Sequence, residues 1–222
     1  VAAAQAGSGP QIFVLPLAGG EARQVTRAPE GVGRPLWSAS GEGIFYTSRD
    51  PAPRRKGTER HNRSFEVGDH GYLTRAKPRA NHLWDQTLNG GEPKQLTSGS
   101  ESVRSVRVSP DCKTVAVTMQ PSPASGVSAS MVIGLIDLAS GDMRELGTPA
   151  PVRLRSFSPD GRYLAIARPR GPQPEFTPNA VFLVPVEGGP PVDVTADIDR
   201  DLCAVEWLPD GGSMLISGVD GT

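Results

Sequence analysis

The fold is decided by the stretch Phe157-Ser158-Pro159-Asp160-Gly161, which returns along the chain as Val108-Ser109-Pro110-Asp111, Trp207-Leu208-Pro209-Asp210-Gly211 and, without the proline and aspartate, Trp37-Ser38-Ala39-Ser40-Gly41. In a tight turn, proline presets the second position, aspartate suits the third, and glycine accommodates the positive φ that follows. Each copy therefore predicts a hairpin turn. The last three copies lie 49 and 50 residues apart, whereas the first interval is 71 residues. The chain is thus a repeat protein with an insertion, and its period is typical of propeller blades.

Each repeat can be divided into four short strands, A to D. Strand A enters the turn, strand B leaves it, strand C is an apolar run that ends at a glycine turn, and strand D is short and often closes on threonine. In the fourth repeat, for example, Val181–Val186 leads through Gly188-Gly189 into Val192–Thr195. Such segments are typical of hairpins, and no window has a sustained helical period. We therefore predict an all-β fold, a β-propeller of four-stranded antiparallel blades.

We predict a single propeller domain over residues 1–222, with three complete blades and a partial blade at each end. The blades span roughly residues 1–26 (partial), 34–97, 103–146, 152–195 and 203–222 (partial). Val1–Ala4 is assigned to strand B of the first blade, so both partial blades contain a strand B and a closed ring would have one strand too many. We therefore expect a fragment of a larger propeller and leave the total number of blades open.

Composition excludes several classes of function. The formal net charge of −1 offers no global attraction to nucleic acid or to an anionic membrane. No apolar run approaches the length of a membrane span, so we expect a soluble protein and leave open whether it is cytoplasmic or periplasmic. Cys112 and Cys203 have neither metal-ligand nor disulfide-framework spacing, and His61 and His70 lack the partners of a zinc site. We therefore expect no metal and no cofactor.

The insertion, residues 49–81, is the most distinctive segment. It holds nine basic and four acidic residues in a chain that is otherwise acidic. In an antiparallel blade the B–C and D–A loops emerge on one face, and the long loops of this chain all lie there. Long loops on a rigid scaffold are where binding usually resides. The three tryptophans, Trp37, Trp84 and Trp207, are instead assigned to the blade core.

The repeated turns, the Gly-Gly-Glu-x-x-x-Leu-Thr pattern at Gly90–Thr97, and Arg63–Leu73 followed by His82-Leu83-Trp84 resemble the propeller of prolyl-oligopeptidase-type serine peptidases. Within that group the chain is most similar to bacterial acylaminoacyl-peptidase and dipeptidyl-peptidase-like members. The turn repeat alone is less specific, because TolB-type propellers share it. Departures are Ala39-Ser40 for Pro-Asp, Cys112 for Gly and Leu208 for Ser.

The resemblance implies that a complete protein adds an α/β-hydrolase domain with a Ser, Asp, His triad. The propeller would then cover the active site, admit only short peptides and help to bind them. A nucleophile elbow requires Gly-x-Ser-x-Gly, and Gly126–Ser130 fails at its last position. We therefore expect this chain alone to be inactive. The alternative is a non-enzymatic TolB-type propeller that acts as a protein-interaction scaffold.

If the insertion contacts peptide, we expect Arg60 or Arg63 to bind a carboxylate or carbonyl and Glu66 or Asp69 to bind a free amino terminus. The alternative is a solvated loop with salt bridges at its rim, with Asp197, Asp199 and Asp201 as example partners. The expected partners of the chain are therefore the hydrolase domain and short peptides. Exposed blade edges would also favour a homodimer.

Overall fold

The computed structural model describes residues 9–33, 35–38, 40–52, 56–58, 79–123, 131–171 and 177–219. Its strands are Phe13–Val14 (β1), Arg23–Gln24 (β2), Leu36–Trp37 (β3), Gly43–Arg49 (β4), Asn81–Thr87 (β5), Lys94–Gln95 (β6), Ser102–Val108 (β7), Thr114–Gln120 (β8), Met131–Asp137 (β9), Met143–Ala150 (β10), Arg153–Phe157 (β11), Tyr163–Pro169 (β12), Asn179–Pro185 (β13), Val192–Asp193 (β14), Asp201–Trp207 (β15) and Met214–Val219 (β16). The assignment of Val1–Ala4 to a strand falls outside the described residues.

The strands form five sheets in chain order. The second, third and fourth sheets have four strands each, β3–β6, β7–β10 and β11–β14, while the first (β1–β2) and the fifth (β15–β16) have two. Registers are antiparallel, as in β12 and β13, where Tyr163 faces Pro185 and Pro169 faces Asn179. The predicted all-β class with four-stranded antiparallel sheets is confirmed. Within the part of the chain described, no helix has the length and apolar content needed to cross a bilayer.

The repeated turns have the geometry that their sequence predicts. In the fourth sheet, the buried Ser158 hydroxyl donates to Asp160 Oδ1 at 2.5 Å and accepts the Tyr163 N–H at 2.9 Å. Gly161 then takes the positive φ, 73°. The copy in the third sheet places Cys112 at the same position with φ 57°. The turn is therefore built by the serine and the aspartate together, and glycine is its preferred but not obligatory last residue.

A second repeated feature is a buried threonine, here called the closing threonine, at the end of the outer strand. Thr26, Thr97 and Thr195 are buried just after β2, β6 and β14. Their hydroxyl oxygens accept the backbone N–H of the residue opposite, Ile12, Leu83 and Val181, at 2.9, 2.9 and 3.0 Å. The third sheet lacks this threonine. Its outer strand β10 instead runs for eight residues, with Gly147 at the corresponding place.

The chain divides into two compact units, Val1–Val103 with Ser122–Gly126 and Arg104–Pro121 with Val127–Thr222. In the first unit, Val32, Ile44 and Tyr46 form a core between the first and second sheets. In the second unit, a larger core joins the third and fourth sheets, and a smaller one joins the fourth and fifth. Strands B and C carry near-continuous burial, which explains their unbroken apolar runs.

The tryptophans divide between core and surface. Trp84 and Trp207 pack against the cores of the first and second unit respectively, as predicted. Trp37 is 59% exposed, so its assignment to the core was wrong. Its register partner Ile44 is buried, but β3 is only two residues long and Trp37 is its last residue, where the strand passes into the turn.

Candidate functional site

The insertion leaves the second sheet between β4 and β5, and its two ends lie side by side. The Asp50 N–H donates to the Ala80 carbonyl at 2.9 Å, which extends the β4–β5 ladder past Arg49 and Asn81. The predicted peptide-contacting residues Arg60, Arg63, Glu66 and Asp69 lie outside the described residues, as do His61 and His70. The structure therefore defines the base of the insertion, which we take as the candidate site.

Glu30, in the loop after β2, ties both ends of the insertion together. Its Oε1 accepts the Ala52 N–H at 2.9 Å, and its Oε2 pairs with Arg79 Nη1 at 2.7 Å. Arg79 also donates to the Asp50 carbonyl at 2.6 Å. The Ala52 N–H, and after it Arg79, lower the pKa of Glu30, so the carboxylate is ionised at neutral pH. Both side chains are about a quarter exposed, at 23% and 24%.

His82 lies beneath this base and is 2% exposed. Its Nε2 lies 3.3 Å from Asp50 Oδ1, and its Nδ1 lies 3.4 Å from Thr97 Oγ1. Because Thr97 Oγ1 already accepts the Leu83 N–H, its own hydrogen is available to Nδ1. The Thr97 hydroxyl can therefore donate to Nδ1, while Nε2 faces the Asp50 carboxylate.

Asp50, His82 and Thr97 form an acid–imidazole–hydroxyl line that resembles the order of a hydrolase triad. Two observations make it structural. Thr97 is buried and binds a backbone N–H, and Thr26 does the same in the first sheet, where Gln11 takes the place of His82 and bonds the threonine at 2.9 Å. A nucleophile needs an accessible oxygen next to its base. The line therefore ties strand B to the closing threonine.

The second unit holds the corresponding loop end differently. Arg170, the first residue after β12, pairs through Nε with Asp193 Oδ2 at 2.7 Å and donates to the carbonyls of Thr195 and Ile198. Burial alone would raise the pKa of Asp193, but Arg170 and Thr195 hold it below its usual value. One side chain thus fastens the start of a B–C loop to the outer strand and to the loop that follows.

The sequence analysis did not predict these contacts. Glu30, Arg79 and Arg170 carried no motif, since their partners lie far away in sequence. The one available signal in the sequence was the threonine that recurs at the end of the outer strand. The residue that precedes the N–H donor of this threonine (Gln11, His82 or Ala180) lies next to the threonine in the strand register. Within the described ranges, no cluster of His, Cys, Asp and Glu has the geometry of a metal site.

No protein-family profile matches the chain. A curated relative, named "Uncharacterized peptidase YuxL", of Bacillus subtilis (strain 168), is 32% identical over 116 residues. The match covers 48% of this chain and 18% of that protein. The matched segment thus spans less than a fifth of the length of that relative.

Solved structures share the fold. An acylaminoacyl peptidase in complex with Z-Gly-Gly-Phe-chloromethyl ketone superposes with a TM-score of 0.62 at 13% identity, covering 88% of this chain and 30% of that one. TolB from Acinetobacter baumannii superposes with a TM-score of 0.58 at 14% identity, covering 93% and 42%. The uncomplexed Pyrococcus horikoshii acylaminoacyl peptidase gives 0.60 at 14% identity, covering 88% and 30%. The chain therefore has the repeated-blade fold of peptidase and TolB propellers, and at these identities the likeness concerns the fold alone.

Proposed function

We propose that this chain is the non-catalytic propeller of an oligopeptidase, which gates access for short peptides and helps to bind them for an α/β-hydrolase domain outside this sequence. The observation that carries the proposal is the 32% identity to a curated peptidase over 116 residues, about twice the identity of any fold neighbour given above.

The base of the insertion supports a role for that segment in the gate. Glu30 and Arg79 hold its two ends at one place on the loop face. Within the insertion, Arg60 and Arg63 are the proposed ligands of a substrate carboxylate or carbonyl, and Glu66 and Asp69 of a free amino terminus. Because both ends of the insertion are held in place, these four charged side chains would stay near the entrance for peptides without blocking it.

A non-enzymatic scaffold of the TolB type is the second candidate. It is favoured by the wide coverage of this chain, 93%, in the superposition on TolB. A scaffold needs the blades and their loop face but no hydrolase domain. The two candidates therefore differ in what accompanies the propeller in the native polypeptide.

The deciding experiment is the mass and reactivity of the native polypeptide, detected with an antibody against this chain. A product far heavier than 23.4 kDa that reacts with a fluorophosphonate probe supports the peptidase. A heavier product that ignores the probe supports the scaffold. A product of 23.4 kDa would overturn the expectation of a larger propeller.

A second experiment tests the peptide contacts in that native enzyme. Arg60→Glu with Arg63→Glu should raise KM for peptides with a free carboxylate far more than for their amides. The matched control is Arg162→Glu, which reverses an exposed arginine of a repeated turn. Unchanged kinetics for every peptide in the double variant would remove these residues from the proposal.

A further inference from the structure

A cavity of about 740 Å³ lies inside the first unit, between the first and second sheets. Tyr46 and Trp84, which face each other across β4 and β5, form its aromatic wall, and Val25 and Ala28 lie opposite. This volume is in the range of small-molecule sites. None of the contacts described above for the insertion base fills it.

The cavity runs the length of the strands, from one loop end to the other. At one end lie Arg27, Glu30 and Arg49, beside the Glu30–Ala52 contact. At the other end lies the turn Gly90–Pro93, beside the hydrogen bond from Arg23 to the Leu88 carbonyl at 2.6 Å. A strand of seven residues separates the two ends by about 20 Å.

The two ends carry opposite charges. Arg27 and Arg49 are exposed arginines with no hydrogen-bond acceptor among the described residues, while Glu30 beside them is already bound by Arg79. At the far end Glu92 lines the cavity and has no ion pair in the described ranges, and Arg23 is not part of the lining. Arginine suits a carboxylate because its planar fork can donate two parallel hydrogen bonds.

The wall between the ends suits an extended backbone. Trp84 contributes the apolar surface of its ring, because its Nε1–H is shielded from solvent and therefore does not open onto the cavity. Gln24 and Gln86 also line the cavity, and their amide nitrogens already donate to the carbonyls of Thr26, Thr87 and Gly91. Their amide oxygens are left to accept the N–H groups of a peptide backbone.

We propose that this cavity is a binding site for a short zwitterionic peptide, with its carboxylate at Arg27 and Arg49 and its amino terminus at Glu92. Side chains reaching in from both ends shorten the gap to about 10 Å, the span of roughly three extended residues. Apolar side chains of the peptide pack on Tyr46 and Trp84. The site uses none of Arg60, Arg63, Glu66 and Asp69, so it can be tested independently of the peptide contacts proposed for those residues.

Calorimetric titration of the chain tests the site, with Ala-Leu-Ala, its C-terminal amide and its N-acetyl form as the three probes. Each cap should weaken binding by about fivefold or more, since each removes one charge-assisted contact at a partly exposed site. Arg27→Gln with Arg49→Gln should abolish the difference between acid and amide. Glu92→Gln should abolish the difference between free and acetylated amino termini.

Arg162→Gln is the matched control, because this exposed arginine does not line the cavity. It should leave all three affinities unchanged, and circular dichroism checks that every variant is folded. Equal affinities of the folded wild-type chain for the three peptides, or no binding at millimolar concentration, would overturn the site. Because no hydrolase domain is present in this titration, its outcome is distinct from that of the probe experiment on the native polypeptide.

Discussion

The first residue after strand B is an acid in the second sheet and an arginine in the fourth. Asp50 reaches the closing Thr97 through the imidazole of His82, whereas Arg170 reaches the closing Thr195 and its neighbour Asp193 directly. Both arrangements tie the start of a B–C loop to the outer strand. Asp50 in one sheet and Arg170 in the other thus meet the same structural requirement. The two sheets share only the threonine and the backbone N–H that its hydroxyl accepts.

The two ties differ in strength. Arg170 is always charged and binds a carboxylate together with two carbonyls. In the second sheet, by contrast, the tie passes through the buried imidazole of His82 to an Asp50 side chain that is 46% exposed. The base of the insertion is therefore the weaker of the two, and Glu30 supplies the additional contact that it needs.

The largest effect is expected from removing the closing threonine. Thr195→Val should destabilise the chain by about 2–3 kcal/mol, because it leaves the Val181 N–H without its acceptor in a buried place. Thr97→Val should cost about 1–2 kcal/mol, because the hydroxyl there has one partner fewer. Urea unfolding of both variants measures the difference. Equal costs would show that Arg170 adds nothing to the threonine.

The next effect concerns the buried imidazole. His82→Ala should cost about 2 kcal/mol, because it leaves a cavity and takes a partner from Thr97. His82→Gln should cost under about 1 kcal/mol, since Gln11 occupies the same register position and bonds Thr26. Thermal unfolding of the two variants provides the measurement. If glutamine were as costly as alanine, the contact of the imidazole with Asp50 would matter more than its hydrogen bond with Thr97.

The sequence predicted the repeated frame and missed the ties between its parts. The Ser158–Gly161 turn was predictable because each of its residues acts within five positions of chain. The closing threonine was visible in the sequence as a residue that recurs at the end of strand D. The partners of Glu30 lie 22 and 49 residues away, so they depend on how the first and second sheets pack. No local pattern encodes such a contact, and only the register of assembled strands reveals it.

A smaller effect tests the additional contact at the insertion base. Glu30→Gln keeps an acceptor for the Ala52 N–H but loses the ion pair with Arg79, which is a small loss of stability for a partly exposed pair. Opening of the base should then rise about fivefold. Limited trypsin digestion, followed by mass spectrometry of cleavage within residues 50–80, measures this opening. Arg170→Gln is the control, and it should leave cleavage in that range unchanged.

The finest test is the ionisation of Asp193. Burial raises its pKa, while the hydrogen bonds from Arg170 and Thr195 lower it further than burial raises it. Arg170→Gln should therefore move the pKa of Asp193 upward, which carbon NMR titration of the carboxyl group can follow. Because the folded-state pKa is depressed, its contribution to stability is complete above the ordinary value of about 3.9 and is lost as the pH falls below it. The Arg170→Gln variant should lack this pH-dependent contribution, so its free energy of unfolding should change less between pH 5 and pH 2 than that of the wild type. An unchanged Asp193 pKa would mean that the threonine alone holds the carboxylate, and the arginine tie would then be no stronger than the histidine one.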